Sequence, residues 1–231
     1  MSASIARSNE TSPLHEVVRT HDHLHESASR ETLPLPMTAA ILCGGKSSRM
    51  GRSKSFLPFA GKTMIEHRFN SLKHLFAQVV IVANDPEAYS QVSTDVVKDI
   101  IPNRGPLVGI LSALLISEYE HTFVIACDMP LVDNKLIRTM AQERHGTDVL
   151  VLSHDEGLEP LCGIYSKRCV EPLEESIFDG TLKAMDFLAQ VNAKLFPYAD
   201  QQGTGESLPP YFNVNTPQDY SELLTAGSSA E

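Results

Sequence analysis

The stretch that decides the fold is "AAILCGGKSSRMGRSK", residues 39–54, in which a short apolar run leads directly into a glycine-rich, positively charged loop. An apolar run of this length, bounded by a turn signal, is typical of a buried strand. Gly44 and Gly45 stand where the strand ends, so the backbone approaches a ligand closely there and presents N–H groups to an anion. Between Thr32 and Ile65 the chain has no acidic residue, but it has five cationic ones: Lys46, Arg49, Arg52, Lys54 and Lys62. In a chain of net charge -10, this local inversion of charge predicts a phosphate-binding loop.

Length and composition limit the kinds of protein in which such a loop can function. A chain of 231 residues suits one sizeable domain. A net charge of -10 argues against nucleic acid or an anionic membrane as the main partner, because phosphate backbones are met by broad basic surfaces. We find neither an apolar stretch of about 20 residues nor a secretory signal pattern, and therefore expect a soluble, cytoplasmic protein. The four cysteines form no C-x-x-C pair, which predicts buried free thiols: Cys43, Cys127, Cys162 and Cys169.

Three segments are expected. Residues 1–36 are polar, contain His21, His23 and His25, and end in two prolines, which predicts a flexible N-terminal tail. Residues 37–226 are expected to form the functional domain. Residues 227–231 are predicted to be a disordered C-terminus.

Apolar, β-branched runs recur along the domain and are predicted to be strands: residues 38–43, 78–83, 122–127, 147–152 and 160–165. Several are apolar on both faces, which favours a mostly parallel central sheet. Helical patterns fall between these runs, so we predict a three-layer α/β/α sandwich with a Rossmann-like sheet. Ligands are then expected beyond the carboxyl ends of the strands.

The helical patterns carry start signals. In residues 64–76 one apolar face is predicted from Ile65, Phe69, Leu72 and Phe76. Pro106 is well placed in a first helical turn, and Asp133 is a predicted N-cap ahead of an inward face that includes Ile137. Two later helices are predicted to be capped by Thr181 and Thr216.

Spacing excludes two common phosphate loops. A Walker loop requires glycine at the position of Ala40, and a dinucleotide fingerprint requires G-x-G-x-x-G, which the pair Gly44 and Gly45 does not supply. The loop therefore belongs neither to a P-loop ATPase nor to an ordinary NAD enzyme.

Residues 42–54 instead match the pattern L-x-G-G-x-S-x-R-M-G-x-x-K, which resembles that of nucleotidyltransferases, and most closely the molybdenum cofactor guanylyltransferase family. Four more strings occur in family order: "RGPLVGILSAL" (104–114), "ACDMP" (126–130), "LEPLCGIY" (158–165) and "FNVNTPQDY" (212–220). The resemblance covers residues 38–224 and implies a fold of the nucleotide-diphospho-sugar transferase type.

The resemblance also implies a reaction. GMP is transferred from GTP to the terminal phosphate of molybdopterin or Mo-molybdopterin, pyrophosphate leaves, and molybdopterin guanine dinucleotide forms. A phosphomonoester is already mostly dianionic at pH 7, so no side chain has to deprotonate it. Positioning and charge neutralisation are then expected to supply most of the catalysis. A molybdoenzyme or its chaperone is the implied recipient of the product.

Roles follow for individual residues. By resemblance GTP is bound by Leu42, Cys43, Gly44, Gly45, Lys54, Asn84, Asp99 and Asp128. Arg49 and Lys54 are expected to neutralise the triphosphate and the departing pyrophosphate. Asp128 ends an apolar strand, where a carboxylate is costly unless a cation meets it, so Asp128 is the predicted catalytic ligand of Mg²⁺. Asn215 is a second, weaker metal candidate.

The acceptor side is less defined. Its candidates are Glu159, Tyr165, Lys183 and Asn213. Each of the first two also has a structural interpretation, Glu159 as an internal partner and Tyr165 as a core aromatic residue.

Two positions depart from the family pattern. Ser53 replaces the aspartate that usually precedes the loop lysine, and Cys43 replaces an alanine. The pair Gly44 and Gly45 favours GTP, because the related cytidylyltransferases tend to have alanine before the second glycine. Three alternatives stay open here: a cytidylyltransferase acting on the same cofactor, a sugar-1-phosphate nucleotidyltransferase, and a non-catalytic adaptor that delivers the cofactor.

Overall fold

A computed structural model describes residues 33–44, 53–93, 95–101, 104–198 and 208–227. The described residues from Leu35 onward form one compact unit. The predicted tail up to residue 32, the C-terminal residues 228–231, and the loop residues Gly45 and Arg49 lie outside the described residues.

The centre of this unit is a sheet of seven strands in the described part of the chain, in the order β5-β4-β1-β6-β8-β7-β9. Only β8 runs antiparallel to its neighbours. The bounds are β1 Leu35–Cys43, β4 Phe76–Ala83, β5 Val96–Lys98, β6 His121–Ala126, β7 Val149–His154, β8 Gly157–Ser166 and β9 Ala193–Pro197. A separate hairpin consists of β2 Pro58–Phe59 and β3 Lys62–Thr63. The predicted, mostly parallel sheet is confirmed, and all five predicted strands lie in it.

Helices cover both faces of this sheet, as predicted. They are α1 Met64–Leu72, α2 Pro106–Ile116, α3 Asn134–Glu143, α4 Val170–Phe178, α5 Ala184–Leu188 and α6 Pro217–Gly227. Because successive strand residues point to opposite faces, Ile41 packs in one core cluster and Ala40 in the other. The first cluster includes residues of α1 and α3, and the second includes residues of α2, α4 and α5. The molecule is therefore a three-layer α/β/α sandwich.

Several element boundaries differ from the predictions. Strand β1 begins at Leu35, so Leu35 and Pro36 belong to the sheet, whereas the sequence placed them in the tail. Phe76 is the first residue of β4 and not the last of a helical face, because α1 ends at Leu72. The prediction of Thr181 as a cap is wrong, since Lys183 stands at the N-cap position of α5.

Other local predictions are confirmed. The backbone N–H of Leu136 donates to Asp133 Oδ1 at 2.7 Å, and that of Asp219 donates to Thr216 Oγ1 at 3.1 Å, so both predicted caps form. All four cysteines lie in the described part of the chain, where each is buried and forms no disulfide. None of the helices described is long and apolar enough to cross a membrane.

Candidate active site

A cavity of about 370 Å³ opens where β1, β4 and β6 end. These three strands are neighbours in the sheet and run parallel, so the loops that follow them meet at one edge. The wall consists of Leu42, Gly44, Val82, Ala83, Asn84, Asp99, Gly105, Pro106, Gly109, Ala126, Cys127, Asp128 and Leu161. Five residues assigned to GTP from the sequence are therefore together in this wall: Leu42, Gly44, Asn84, Asp99 and Asp128.

Lys54 and Asp128 face each other. Lys54 begins a short 3₁₀ helix, Lys54–Phe56, and its Nζ lies 3.8 Å from Asp128 Oδ2 and 2.9 Å from Asn215 Oδ1. The side chains of Lys54 and Asp128 are 18% and 23% exposed. A cation and two side-chain oxygens from three distant parts of the chain thus meet at Asp128, which lines the cavity.

The environment of Asp128 disfavours its charged form. Burial raises the pKa of this carboxyl, and the nearby positive charge of Lys54 only partly opposes that rise. A buried carboxylate with a raised pKa gains much when a further cation binds beside it. The chemistry of the oxygens of Asp128 and Asn215 fits a hard divalent cation such as Mg²⁺, which takes one or two protein oxygens and keeps several waters.

Arg68 holds the loop that carries Asp128 through hydrogen bonds to its backbone. This side chain comes from α1, is 1% exposed, and donates to the carbonyl oxygens of Met129 and, at 2.7 Å, Val132. Burial lowers the pKa of Arg68 to about 10, so the guanidinium stays charged at neutral pH. On the other side the backbone N–H of Val214 donates to the Asp128 carbonyl at 2.9 Å. The backbone around Asp128 is therefore held by two separate segments.

Asn84 and Asp99 line the same cavity, together with Pro106, the first residue of α2. The Oδ1 atom of Asn84 is buried and has no hydrogen-bond partner among the described residues. Asp99 accepts a hydrogen bond from Ser112 Oγ at 3.0 Å, and burial raises the pKa of its carboxyl. Both side chains offer oxygen acceptors to a ligand with N–H donors.

Cys43, unlike the preceding residue Leu42, does not line the cavity. Its side chain lies in the first core cluster, and burial raises the pKa of its thiol well above the usual range. The prediction that this residue contacts GTP therefore rests on its backbone alone.

The acceptor candidates separate into two groups. Glu159 Oε1 lies 3.3 Å from His154 Nε2, and Asn213 Nδ2 donates to Glu159 Oε2 at 3.4 Å. The ring of Tyr211 stacks on His154 with centroids 3.8 Å apart. Residues close in sequence to this cluster reach the cavity, since Leu161 lines its wall and the backbone N–H of Val214 donates to the Asp128 carbonyl.

Tyr165 and Lys183 are not part of this cluster. Tyr165 is fully buried in the second core cluster and its hydroxyl donates to the Pro160 carbonyl at 2.7 Å, so the structure supports its interpretation as a core residue. Lys183 is exposed at the start of α5, and within the described ranges no hydrogen bond or ion pair joins it to Glu159 or Asn213.

Sequence reasoning missed Arg68, Ser112 and His154. Arg68 has a visible signal, since it lies beside Ile65, Phe69 and Leu72, where the helical period predicts an apolar side chain. Ser112 gives a weaker signal as a polar residue inside the apolar run of α2. His154 gives none, because its partner Tyr211 is distant in the chain.

The half-buried carboxylate of Asp128 beside Lys54, at a cavity on the carboxyl edge of a parallel sheet, fits the nucleotidyltransferase class that the basic, glycine-rich sequence of residues 44–54 predicts. The comparisons with known proteins agree. The chain belongs to the MobA-like NTP transferase family, whose domain model matches residues 39–194.

Named relatives make the likeness more specific. Over 195 residues the chain is 36% identical to a probable molybdenum cofactor guanylyltransferase of Carboxydothermus hydrogenoformans, covering 84% of this chain and 98% of the relative. It is 32% identical over 193 residues to the molybdenum cofactor guanylyltransferase of Desulfosudis oleivorans, covering 82% and 95%. The crystal structure of molybdopterin-guanine dinucleotide biosynthesis protein A from Archaeoglobus fulgidus superimposes with a TM-score of 0.71 at 28% identity, covering 84% of this chain and all of that one.

Proposed function

We propose that this protein transfers GMP from GTP to the terminal phosphate of molybdopterin or Mo-molybdopterin, with release of pyrophosphate and formation of molybdopterin guanine dinucleotide. The observation that carries the proposal is the pairing of Lys54 with Asp128 at 3.8 Å, at the wall of a cavity that Asn84 and Asp99 also line. The names of the relatives, which cover most of this chain, support the choice of nucleotide and acceptor.

Charge neutralisation is the main task of the site, because two anionic phosphates must approach each other. Lys54 supplies a fixed positive charge at the centre, and Arg49 is proposed to supply a second from the loop. Mg²⁺ held by Asp128, with Asn215 as a weaker ligand, would neutralise phosphate oxygens and so favour attack on the α-phosphorus. The attacking phosphate is already ionised at pH 7, so no general base is assigned.

Base recognition is assigned to Asn84 and Asp99. The Watson–Crick edge of guanine carries N1–H and N2–H donors, which match the unpaired Asn84 Oδ1 and the Asp99 carboxylate. Cytosine has a single amino donor on that edge and leaves one acceptor without a partner. Such an unpaired buried acceptor costs about 1–3 kcal/mol, which favours GTP over CTP.

The acceptor is proposed to bind beside Asp128, against Glu159 and Asn213. The product would pass from there to a molybdoenzyme or its chaperone. The cytoplasmic location expected from the sequence stays a prediction.

The decisive experiment follows pyrophosphate release from purified protein with Mg²⁺, GTP and molybdopterin. We expect release with GTP and at most slow release with ATP, CTP or UTP. Equal release with CTP would contradict the assigned base recognition, and release that requires a sugar 1-phosphate in place of molybdopterin would contradict the acceptor. GTP binding without turnover of any acceptor would support an adaptor in place of an enzyme.

A further inference from the structure

A buried tyrosine connects the three loops that form the cavity. Tyr89 ends a 3₁₀ helix, Pro86–Tyr89, that follows β4 and Asn84, and it is 4% exposed. Its hydroxyl donates to Ser55 Oγ at 3.1 Å and lies 3.4 Å from Ser53 Oγ. The hydroxyl of Tyr89 thus contacts the residues on either side of Lys54.

The contact extends beyond these two hydroxyl groups. The ring of Tyr89 stacks on Phe56, with centroids 5.0 Å apart. The ring and the hydroxyl together therefore contact three of the four residues from Ser53 to Phe56. The remaining residue of this segment is Lys54, whose side chain pairs with Asp128 instead.

The same network reaches the loop after β6. Ser55 Oγ lies 3.2 Å from Cys127 Sγ, and Cys127 directly precedes Asp128. Ser55 is 2% exposed and Cys127 is 8% exposed, so water does not compete readily for these contacts. Tyr89, Ser55 and Cys127 therefore form a continuous buried chain from the loop of Asn84, past Lys54, to the loop of Asp128.

We propose that Tyr89 is a positioning residue for catalysis, which holds the ammonium group of Lys54 opposite Asp128 through its contacts to Ser53 and Ser55. The inference rests on the proposed function for the role of Lys54 as a phosphate ligand. Burial raises the pKa of Tyr89 to about 12, so its hydroxyl keeps its proton over the working pH range and remains a donor. Ser53 stands directly before Lys54, where the family pattern has an aspartate, and gives the Tyr89 hydroxyl a neutral hydrogen-bond partner.

The test is a double-mutant cycle of Tyr89→Phe with Lys54→Ala, read as affinity for GTP in the presence of Mg²⁺. Tyr89→Phe keeps the ring stack and removes only the hydroxyl. We expect it to weaken GTP binding about five- to tenfold in the native background, as for one lost buried hydrogen bond, and less than about twofold when Lys54 is already alanine. Ser55→Ala should behave in the same way.

The matched control is Ser117→Ala. Ser117 is also buried, bonds the hydroxyl of Thr38 at 2.6 Å, and lies past the far end of α2, away from the cavity. We expect a similar loss of thermal stability with unchanged GTP affinity. Equal losses from Tyr89→Phe in both Lys54 backgrounds, or a loss no larger than that of Ser117→Ala, would overturn the positioning role.

Separate measurements of GTP binding and of turnover distinguish a failure of this inference from a failure of the proposed function. If the native protein binds GTP but releases no pyrophosphate with molybdopterin, the acceptor assignment fails while the cycle still decides the role of Tyr89. If the native protein binds no GTP, both are overturned.

Discussion

The proposed nucleotide side and the proposed acceptor side are built differently. On the nucleotide side, Asn84 Oδ1 has no partner in the described part of the chain, whereas Lys54 already pairs with Asp128 at 3.8 Å and donates to Asn215. On the acceptor side, beside the antiparallel strand β8, Glu159 already bonds both His154 and Asn213. The proposed nucleotide side therefore keeps one buried acceptor open for a ligand, whereas a substrate on the proposed acceptor side would have to replace the internal partners of Glu159.

Removing the charge of Asp128 would break the nucleotide side most severely. We expect Asp128→Asn to lower the rate of pyrophosphate release at least about 100-fold, because the phosphates lose the carboxylate that is proposed to hold Mg²⁺. The measurement is the initial rate at saturating GTP over a series of Mg²⁺ concentrations.

Asp148→Asn is the control for that substitution. The Asp148 side chain is 25% exposed, against 23% for Asp128, and it pairs with Arg168 at 3.1 Å next to the amino end of β7. Its neutralisation should leave the rate within about twofold of the native value, as is usual for a change far from the reacting groups. Equal losses from the two variants would show that the position at the cavity does not matter.

A smaller effect is expected from Asn84→Ala. Guanine would lose one acceptor, so the affinity for GTP should fall about tenfold, while the affinity for CTP should change less. Competition binding with both nucleotides gives the ratio. Asn70→Ala serves as the control, because the amide of Asn70 donates to the Glu66 carbonyl within α1. A parallel loss of affinity for both nucleotides would contradict base recognition by Asn84.

The acceptor side should respond differently. Glu159→Gln weakens contacts within the cluster of His154, Glu159 and Asn213, so we expect the KM for molybdopterin to rise about fivefold with the affinity for GTP unchanged. Glu143→Gln is the control, since Glu143 forms an exposed pair with Lys194 at 2.8 Å. A change in GTP affinity with no change in the KM for molybdopterin would place Glu159 on the nucleotide side.

The difference between the nucleotide side and the acceptor side also explains which residues could be predicted from the sequence. The nucleotide side consists of short strings that directly follow apolar strands, so strand order alone brings Leu42, Asn84 and Asp128 together. The acceptor side depends on contacts between distant segments, such as Tyr211 on His154, which have no local pattern. Tyr165 illustrates the limit, because its string indicates a strand residue but not that its hydroxyl turns back to Pro160. Tyr89 was missed for a related reason, because it acts through the hydroxyl groups of residues in another loop.

The smallest expected effect concerns stability and has the opposite sign to the effect on activity. Burial raises the pKa of Asp128 in the folded protein, so the folded state binds this proton more readily than the unfolded chain does. The resulting stability is fully present below the pKa of the unfolded chain and is lost as pH rises through the raised pKa of the folded state. Asp128→Asn carries no such charge, so without Mg²⁺ its Tm should exceed that of the native protein at neutral pH, and the difference should shrink in acid. Thermal unfolding from pH 4 to pH 8 measures this difference in Tm. If the native protein were more stable than Asp128→Asn at pH 8 without Mg²⁺, the attraction of Lys54 would outweigh the cost of burying the carboxylate. The site would then need no further cation.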